Sequence, residues 1–328
     1  MAASQEQLDN NLVSQFKQFE SQLNGEKNSA IHQARRQAFD ALSNFGLPER
    51  KNESYKYSQV SKLYANQLSS FTENPSVNLE QLKSQIPDYL SSVYYVFVNG
   101  IYFEEISQPA QIDGLKISSI TSAFEHNAEA INALSTANRE KPDGFNFLNN
   151  AFAQSGLHIE VDQGRVIEEP IAIINITDSS DGKVIASPRH VAFIGQNSQA
   201  TIADVNLSSG IHDTFSNTSL EIDLAQDGML NLYTITKEPA HAVQVNNTYV
   251  KQHKSSVLNA VTIDFDGKLI RNNLRIDLAG EHCEANLSGL YMPSNSSQID
   301  NHTTVDHQID NSNSNELYKG ILDDKSTG

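Results

Sequence analysis

Leu269–Gly280, LIRNNLRIDLAG, is the stretch whose reading decides the fold. Ile270, Leu274, Ile276 and Leu278 alternate with Arg271, Asn273, Arg275 and Asp277, and a period of two puts the apolar set on one face of a β-strand. Ser219–Gly228, SLEIDLAQDG, repeats the grammar: Leu220, Ile222 and Leu224 alternate with Glu221 and Asp223. On this pattern each strand buries one face only. Similar runs stand at IAIINIT, ATIADVNL, LNLYTIT, VLNAVTIDF and EANLSGLYM, separated by Gly, Asn, Asp and Ser turns. Their spacing is near the 8–12 residues expected of an all-β fold. From about Leu157 to the end no helical period interrupts them. A β-sandwich and a β-solenoid both satisfy that spacing. Strands continue for about 170 residues without a closing signal, long for one sandwich, and this favours a solenoid. Strict Gly-Gly-X-Gly-X-Asp nonapeptides are absent, so the solenoid is expected to be irregular.

The chain before Leu157 reads differently. Leu8, Leu12, Phe16, Phe19 and Leu23 recur at helical spacing, as do Ile31, Ala34, Ala38, Leu42 and Phe45 before Gly46-Leu47-Pro48 stops the pattern. A hairpin is expected near 93–106, where Asn99-Gly100 supplies the two positive φ angles of a type I′ turn between aromatic-rich strands. Ser122, three residues before Glu125, reads as a capping box, and FNFLNNAFAQSG as a short amphipathic helix ended by Gly156. The expected organisation is a helical α+β region over 1–156, then a solenoid over 157–328.

Composition bounds the function classes. With 328 residues, 38% hydrophobic and 19% charged, the chain reads as globular and large enough for two domains. A net charge of −17 argues against nucleic acid and anionic lipid as partners, since both need clustered Lys and Arg. No apolar run approaches 18 residues, and the first residues lack the basic flank and apolar stretch of a signal peptide. One cysteine gives no disulfide framework and fits a reducing cytoplasm. The Asn-X-Ser/Thr triplets, Asn286-Leu287-Ser288 among them, read as chance in an Asn- and Ser-rich chain.

Two features invite a site reading. In Ile299–Asp310, IDNHTTVDHQID, strand parity groups Thr303, Val305, His307 and Ile309 against Asp300, His302, Thr304, Asp306 and Gln308. His307 is therefore expected to be a buried core histidine, and His302 to face solvent among acids. Asp300, His302 and Asp306 share a face, but ligands two residues apart on one strand are splayed by about 6–7 Å, too far for one ion without help from neighbouring strands. Cys283 is in phase with Ala285, Leu287 and Gly289, which predicts a small buried hydrophobe rather than a nucleophile or cluster ligand. No phosphate-binding glycine loop, nucleophile elbow or His-Glu-X-X-His motif occurs. No catalytic, cofactor-binding or metal-binding residue is assigned.

Two stretches carry a family resemblance. GLPERKNESYKYSQVSKLY, at 46–64, resembles the N-terminal signature of the SufD branch of the SufB/SufD family: Glu53, Tyr55, Lys56 and Tyr57 match a Glu-Trp-Lys-Tyr-type core, with Tyr55 where the family usually has Trp. VDHQIDNSNSNELYKGILDDKSTG, at 305–328, is similar to the segment shared by both branches, through His307, Asn311, Ser314, Leu317, Tyr318, Lys319, Gly320, Leu322, Asp324, Lys325 and Gly328. The resemblance implies a right-handed parallel β-helix after a helical region. It also implies a non-enzymatic scaffold subunit of SUF iron–sulfur cluster assembly, partnered by SufB and the ATPase SufC, with the cluster assembled by the complex. In the family further coils and a helical domain follow, so the chain reads as truncated at Gly328. Self-association through exposed Ile321 and Leu322, and loss of SufC binding, are then expected. The alternative reading is a β-helical polysaccharide lyase or hydrolase, which would need a pair of carboxylates in an outer groove.

Overall fold

Each of the period-two stretches is a strand, and each lies parallel to the strand one circuit of chain away. A computed structural model describes residues 5–22, 28–68, 77–87, 92–135 and 142–328. The helices are α1 (Gln5–Gln22), α2 (Ala30–Phe45), α3 (Val60–Leu68), α4 (Leu79–Lys83), α5 (Ile120–Leu134) and α6 (Gly144–Phe152). The earlier strands are β1 (Val93–Val98), β2 (Ile101–Tyr102), β3 (Leu115–Ser119), β4 (Leu157–Val161), β5 (Ile171–Ser179), β6 (Val184–Ala186), β7 (Arg189–Ile194) and β8 (Gln199–Gly210). The later ones are β9 (Thr214–Leu224), β10 (Met229–Glu238), β11 (Ala242–Gln252), β12 (Val257–Asp266), β13 (Leu269–Leu278), β14 (Glu284–Met292), β15 (Ile299–His307) and β16 (Asn313–Gly320).

The strands form two sheets, β16-β14-β12-β10-β8-β5-β1-β2 and β15-β13-β11-β9-β7-β4-β3, here called A and B; from β7 onward even-numbered strands lie in A and odd-numbered ones in B, and β6 pairs with β9. Met229 lies beside Val257, Val257 beside Glu284 and Glu284 beside Asn313, so successive circuits take 28, 27 and 29 residues. The result is a parallel β-solenoid of about six turns preceded by a helical region. Both sheets begin in that region: β1 pairs in parallel with β5, and β3 antiparallel with β4.

Between the sheets, Leu230, Leu232, Leu258, Ala285 and Leu287 of A meet Leu220, Ile222, Leu224, Ile276 and Leu278 of B. Burying each large aliphatic side chain contributes roughly 1.5–3 kcal/mol, so the stack of layers is the main source of stability. Corners repeat as the strands do. Asn197, Asp227, Ser255, His282 and Asn311 all take positive φ, one per circuit. Asn, Asp and Ser tolerate that conformation better than most residues because their short polar side chains bond locally. On the outside of A, Asn231, Asn259, Asn286 and Asn315 form a ladder in which the last three amides each donate to the asparagine carbonyl oxygen one coil back, at 3.0, 3.1 and 3.1 Å.

Three sequence expectations need correction. Strands do not bury one face only: every residue of β9 but Asp223 is buried, because α6 lies on its outer face. The N-cap of α5 is Ser119, whose hydroxyl accepts from the Ser122 amide; the helix starts as soon as β3 ends, so Ser122 and Glu125 lie inside it. Helix α6 stops at Phe152 with Ala153 as its cap, and Gly156 serves a different need, since a Cβ there would strike the Arg189 carbonyl. The hairpin is as expected, with Asn99 at φ 53° and Gly100 at φ 80° between β1 and β2. Leu23 lies outside the described residues.

One half of the lumen is polar. His190 accepts from the Leu157 amide through Nδ1, so its Nε2 carries the proton and faces Asn175 Oδ1 at 3.2 Å; burial drives this imidazole down to about 3. Asn175 in turn donates to Asp204 and Asn206. Asp204 and Asp264 are pushed up to about 7 and Glu238 to about 8, in each case chiefly by burial. Neither oxygen of Glu238 has a well-formed hydrogen bond, and the Ser208 hydroxyl offsets the burial only in part.

The sign of the pH effect follows from linkage. Below the ordinary glutamate value Glu238 is protonated in both states and contributes no pH dependence. As pH rises toward about 8 the unfolded carboxyl ionises while the folded one stays protonated, so stability falls. Glu238→Gln removes this term. Urea melts are expected to show that the wild type loses on the order of a few kcal/mol more than the variant between pH 5 and pH 8.5; a pH-independent difference would refute the neutral buried acid.

Candidate functional site

A buried polar constellation joins the 46–64 stretch to the solenoid. Glu53–Tyr55 forms one 3-10 turn that drops the Tyr55 ring, 2% exposed, onto the outer face of β13. The Arg271 guanidinium lies 4.4 Å from the ring centroid. Arg271 Nε donates to Asn273 Oδ1 at 2.8 Å, and Nη1 pairs with Asp300 Oδ2 on β15 at 2.5 Å. Ser58 donates to the same Asp300 oxygen. On the other side the Tyr55 hydroxyl donates to Asp143 Oδ2 at 2.7 Å and accepts from Asn273 Nδ2 at 3.1 Å. Asp143 also caps α6 by accepting from the Phe145 amide. One tyrosine thus ties the signature, the start of α6 and two solenoid strands together.

Electrostatics make this a clamp rather than a reactive centre. Burial raises Tyr55 well above the usual phenol range, and the Asp143 charge adds to that, so the hydroxyl stays protonated as a donor. Burial likewise raises Asp143, against the hydrogen bonds from Tyr55 and Phe145. Arg271 is 1% exposed and carries its charge against Asp300 and the tyrosine face, an arrangement suited to guanidinium.

The His/Asp stretch divides in the opposite sense to the expectation. His302 is half-buried beside Asn273, and burial first, then the Arg271 charge, lowers its pKa; Asp300 and Asp143 oppose the shift. His307 is exposed at the end of β15, its Nε2 3.1 Å from the Ser314 hydroxyl. Parity was right for Val305, which packs against the lumen core, but Ile309 lies beyond the strand and is 43% exposed. The acids are committed: Asp300 to Arg271, and Asp306 to Arg275 at 3.0 Å. Among the described residues no three His, Cys, Asp or Glu side chains are grouped to hold a metal ion.

Cys283 is fully buried, as its phase predicts. It follows the positive-φ corner residue His282 as Ser198 follows Asn197 and Ser256 follows Ser255. All three side chains point at the carbonyl three residues back: Ser198 to Gly195 at 2.5 Å, Ser256 to His253 at 2.6 Å and Cys283 to Gly280 at 3.2 Å. The thiol occupies a place the solenoid otherwise gives to a hydroxyl.

The Leu-Tyr-Lys-Gly segment also has a packing reason. Tyr318 lies beside Gly289, and Tyr291 beside Gly320. A Cβ on either glycine would run into the neighbouring ring, so each tyrosine covers the glycine of the adjoining coil. The pairing explains why Tyr and Gly stand two residues apart in both strands. Sequence reading missed Arg271 and Arg275 as buried or shielded partners, because alternation with apolar residues made them look solvated.

Two family descriptions account for the chain end to end. Residues 6–173 match "SufBD protein N-terminal region", and residues 175–328 match "SUF system FeS cluster assembly, SufBD core domain". The chain belongs to the SufB/SufD family. Among curated relatives it is 26% identical over 295 residues to the iron–sulfur cluster assembly protein SufD of Escherichia coli, covering 88% of this chain and 66% of that protein. It is 22% identical over 320 residues to the SufBD family protein slr0076 of Synechocystis, at 93% and 69% coverage. Protein ABCI7, chloroplastic, of Arabidopsis thaliana is 20% identical over 302 residues, at 89% and 62%. The chain therefore spans about two thirds of the length of these relatives. Within the family frame, Tyr55 and the Tyr318–Gly320 segment both prove to be packing devices of the solenoid.

Two outcomes are expected. His302→Ala should lower the melting temperature more than His307→Ala, by a difference corresponding to about 1 kcal/mol, because only His302 is enclosed; equal shifts would contradict the enclosure. Cys283→Ser should melt within about 1 kcal/mol of the wild type, since serine fills the equivalent corners, whereas Cys283→Val should cost more because a second γ-methyl must fit a fully buried corner. Thermal denaturation by circular dichroism checks both.

Proposed function

We propose that the chain is a non-catalytic scaffold subunit of SUF iron–sulfur cluster assembly, acting in the cytoplasm with SufB- and SufC-type partners. The observation that carries the reading is the unbroken match of both halves to the SufB/SufD family. The geometry is consistent with a scaffold: its best-formed polar constellation holds the helical region against the coils. The iron–sulfur cluster is the cargo of the complex, and the lone thiol Cys283, directed at backbone carbonyls, is assigned no ligand role. The division into a helical region over 1–156 and a solenoid over 157–328 belongs to the same proposal. No helix among the described residues is long and apolar enough to cross a membrane. A polysaccharide-cleaving site would need a free carboxylate pair, and Asp300 and Asp306 are each held by an arginine.

Co-expression with SufB and SufC homologues followed by size-exclusion chromatography tests the reading. A stoichiometric complex with the SufB homologue is expected, with ATPase activity confined to the SufC component whether or not that component co-elutes. Elution of all three separately, or hydrolysis of a polysaccharide by this chain alone, would overturn it.

A further inference from the structure

Among the described residues, sheet A is covered on its outside at one end and bare at the other. On β5 and β8 the outward Ala172, Ile174, Ile176, Ala203 and Val205 are buried together with Leu82 of α4 and Ile106. The next strands keep the same chemistry. Tyr233 on β10, Val261, Ile263 and Phe265 on β12, and Leu290 and Met292 on β14 occupy outward positions and are partly exposed, while the alternating lumen residues Leu232, Ala260 and Leu287 are buried. Leu317 on β16 extends the patch at 58% exposure. No described helix packs broadly across β12, β14 or β16. Such a face, continuous with an apolar cluster already sealed by a helix, marks an interaction surface.

The spacing selects the occupant. Neighbouring strands are about 4.8 Å apart, so the apolar columns step by that distance from coil to coil. Residues at i, i+3 or i+4, and i+7 of a helix advance by about 5 Å per step, which lets a helix laid across the strands set one side chain against each coil. An added β-strand cannot use this face, because its backbone groups are spent within the sheet. Over the earlier coils the chain's own Leu79 and Leu82 of α4, with Ile86 just beyond the helix, cover this face. Charge narrows the choice further. The outward charged residues on β10, β12, β14 and β16 are Lys237, Lys319 and Glu284, and Glu284 sits at the far end, beyond the asparagine ladder. In a chain of net charge −17, the apolar patch is flanked by two lysines.

We propose that the outer face of β10, β12, β14 and β16 docks an amphipathic helix of a partner protein, with a Leu, Ile, Val or Phe stripe and Asp or Glu on its flanks. This surface does not depend on the SUF assignment.

Photo-crosslinking in the source cells tests it. Ser288 points outward in the middle of the patch and is exposed, so p-benzoylphenylalanine placed there would lie under the docked helix. The expected product links position 288 to a peptide with apolar residues at helical spacing and acidic flanks. Ile263→Asp, and separately Lys237→Glu with Lys319→Glu, should each reduce the yield at least fivefold while leaving the far-ultraviolet circular dichroism and melting temperature unchanged. Crosslinking to the same face of a second copy, crosslinking to a segment without that pattern, or no crosslink would each overturn the proposal. A yield indifferent to the lysine reversals would overturn the acidic flank.

Discussion

Parallel stacking at fixed register is the constraint on which everything else rests. Once Met229, Val257, Glu284 and Asn313 stand in line, every other position of those strands is in line as well, and each side chain meets the same position of the next coil. Like then lies on like. Leucines and isoleucines stack into a dry column, asparagines into a hydrogen-bonded ladder, and residues that tolerate positive φ recur at one corner per circuit. A change at one of these positions is felt by both neighbours, because a solenoid spreads its energy over nearest-neighbour interfaces.

The second constraint is what closes the outside of the stack. Sheet B receives the helical region through contacts that are polar as well as apolar: Tyr55 over Arg271, Asn149 donating to the Pro188 and Asn217 carbonyls, and Arg189, paired with Glu221 at 2.7 Å within the sheet, over the Phe124 ring of α5. Removing one partner of such a buried pair strands the other charge, so the junction specifies how the helical region sits more than it adds net stability. Sheet A receives only a short cover over its first coils. Among the described residues, one flank of the stack is occupied by the helical region and the later coils of the other flank are uncovered.

For a member of a family named for cluster assembly, the placing of the cysteine and histidines is informative. Cys283 replaces a corner serine, His190 is a neutral link in a buried chain of hydrogen bonds, and His302 is held beside the Arg271 clamp. Each has a structural task that its surroundings explain. His307 alone among these stands exposed, bonded to the next strand through Ser314.

Strand positions, the Asn99-Gly100 turn and the phase of Cys283 were legible in the sequence because each depends on residues within a few places of one another. Alternation has a period of two whatever the strand later packs against, and a positive φ at Asn99 and Gly100 is a property of those residues. The fate of the outward faces was not legible. Tyr55 and Asn273 are 218 residues apart, and nothing near Arg271 in sequence announces that a tyrosine will lie over it. The ranking of His302 and His307 turned on the same point: parity assigned them to opposite faces, but only the covering of sheet B and the end of β15 decided which face was enclosed. Helix limits failed for a related reason, since Ser119 caps α5 where β3 happens to end and Gly156 is required by the Arg189 backbone across the fold. Local periodicity determined the strands and their lumen; contacts between distant segments alone decided which polar residues became part of the interior.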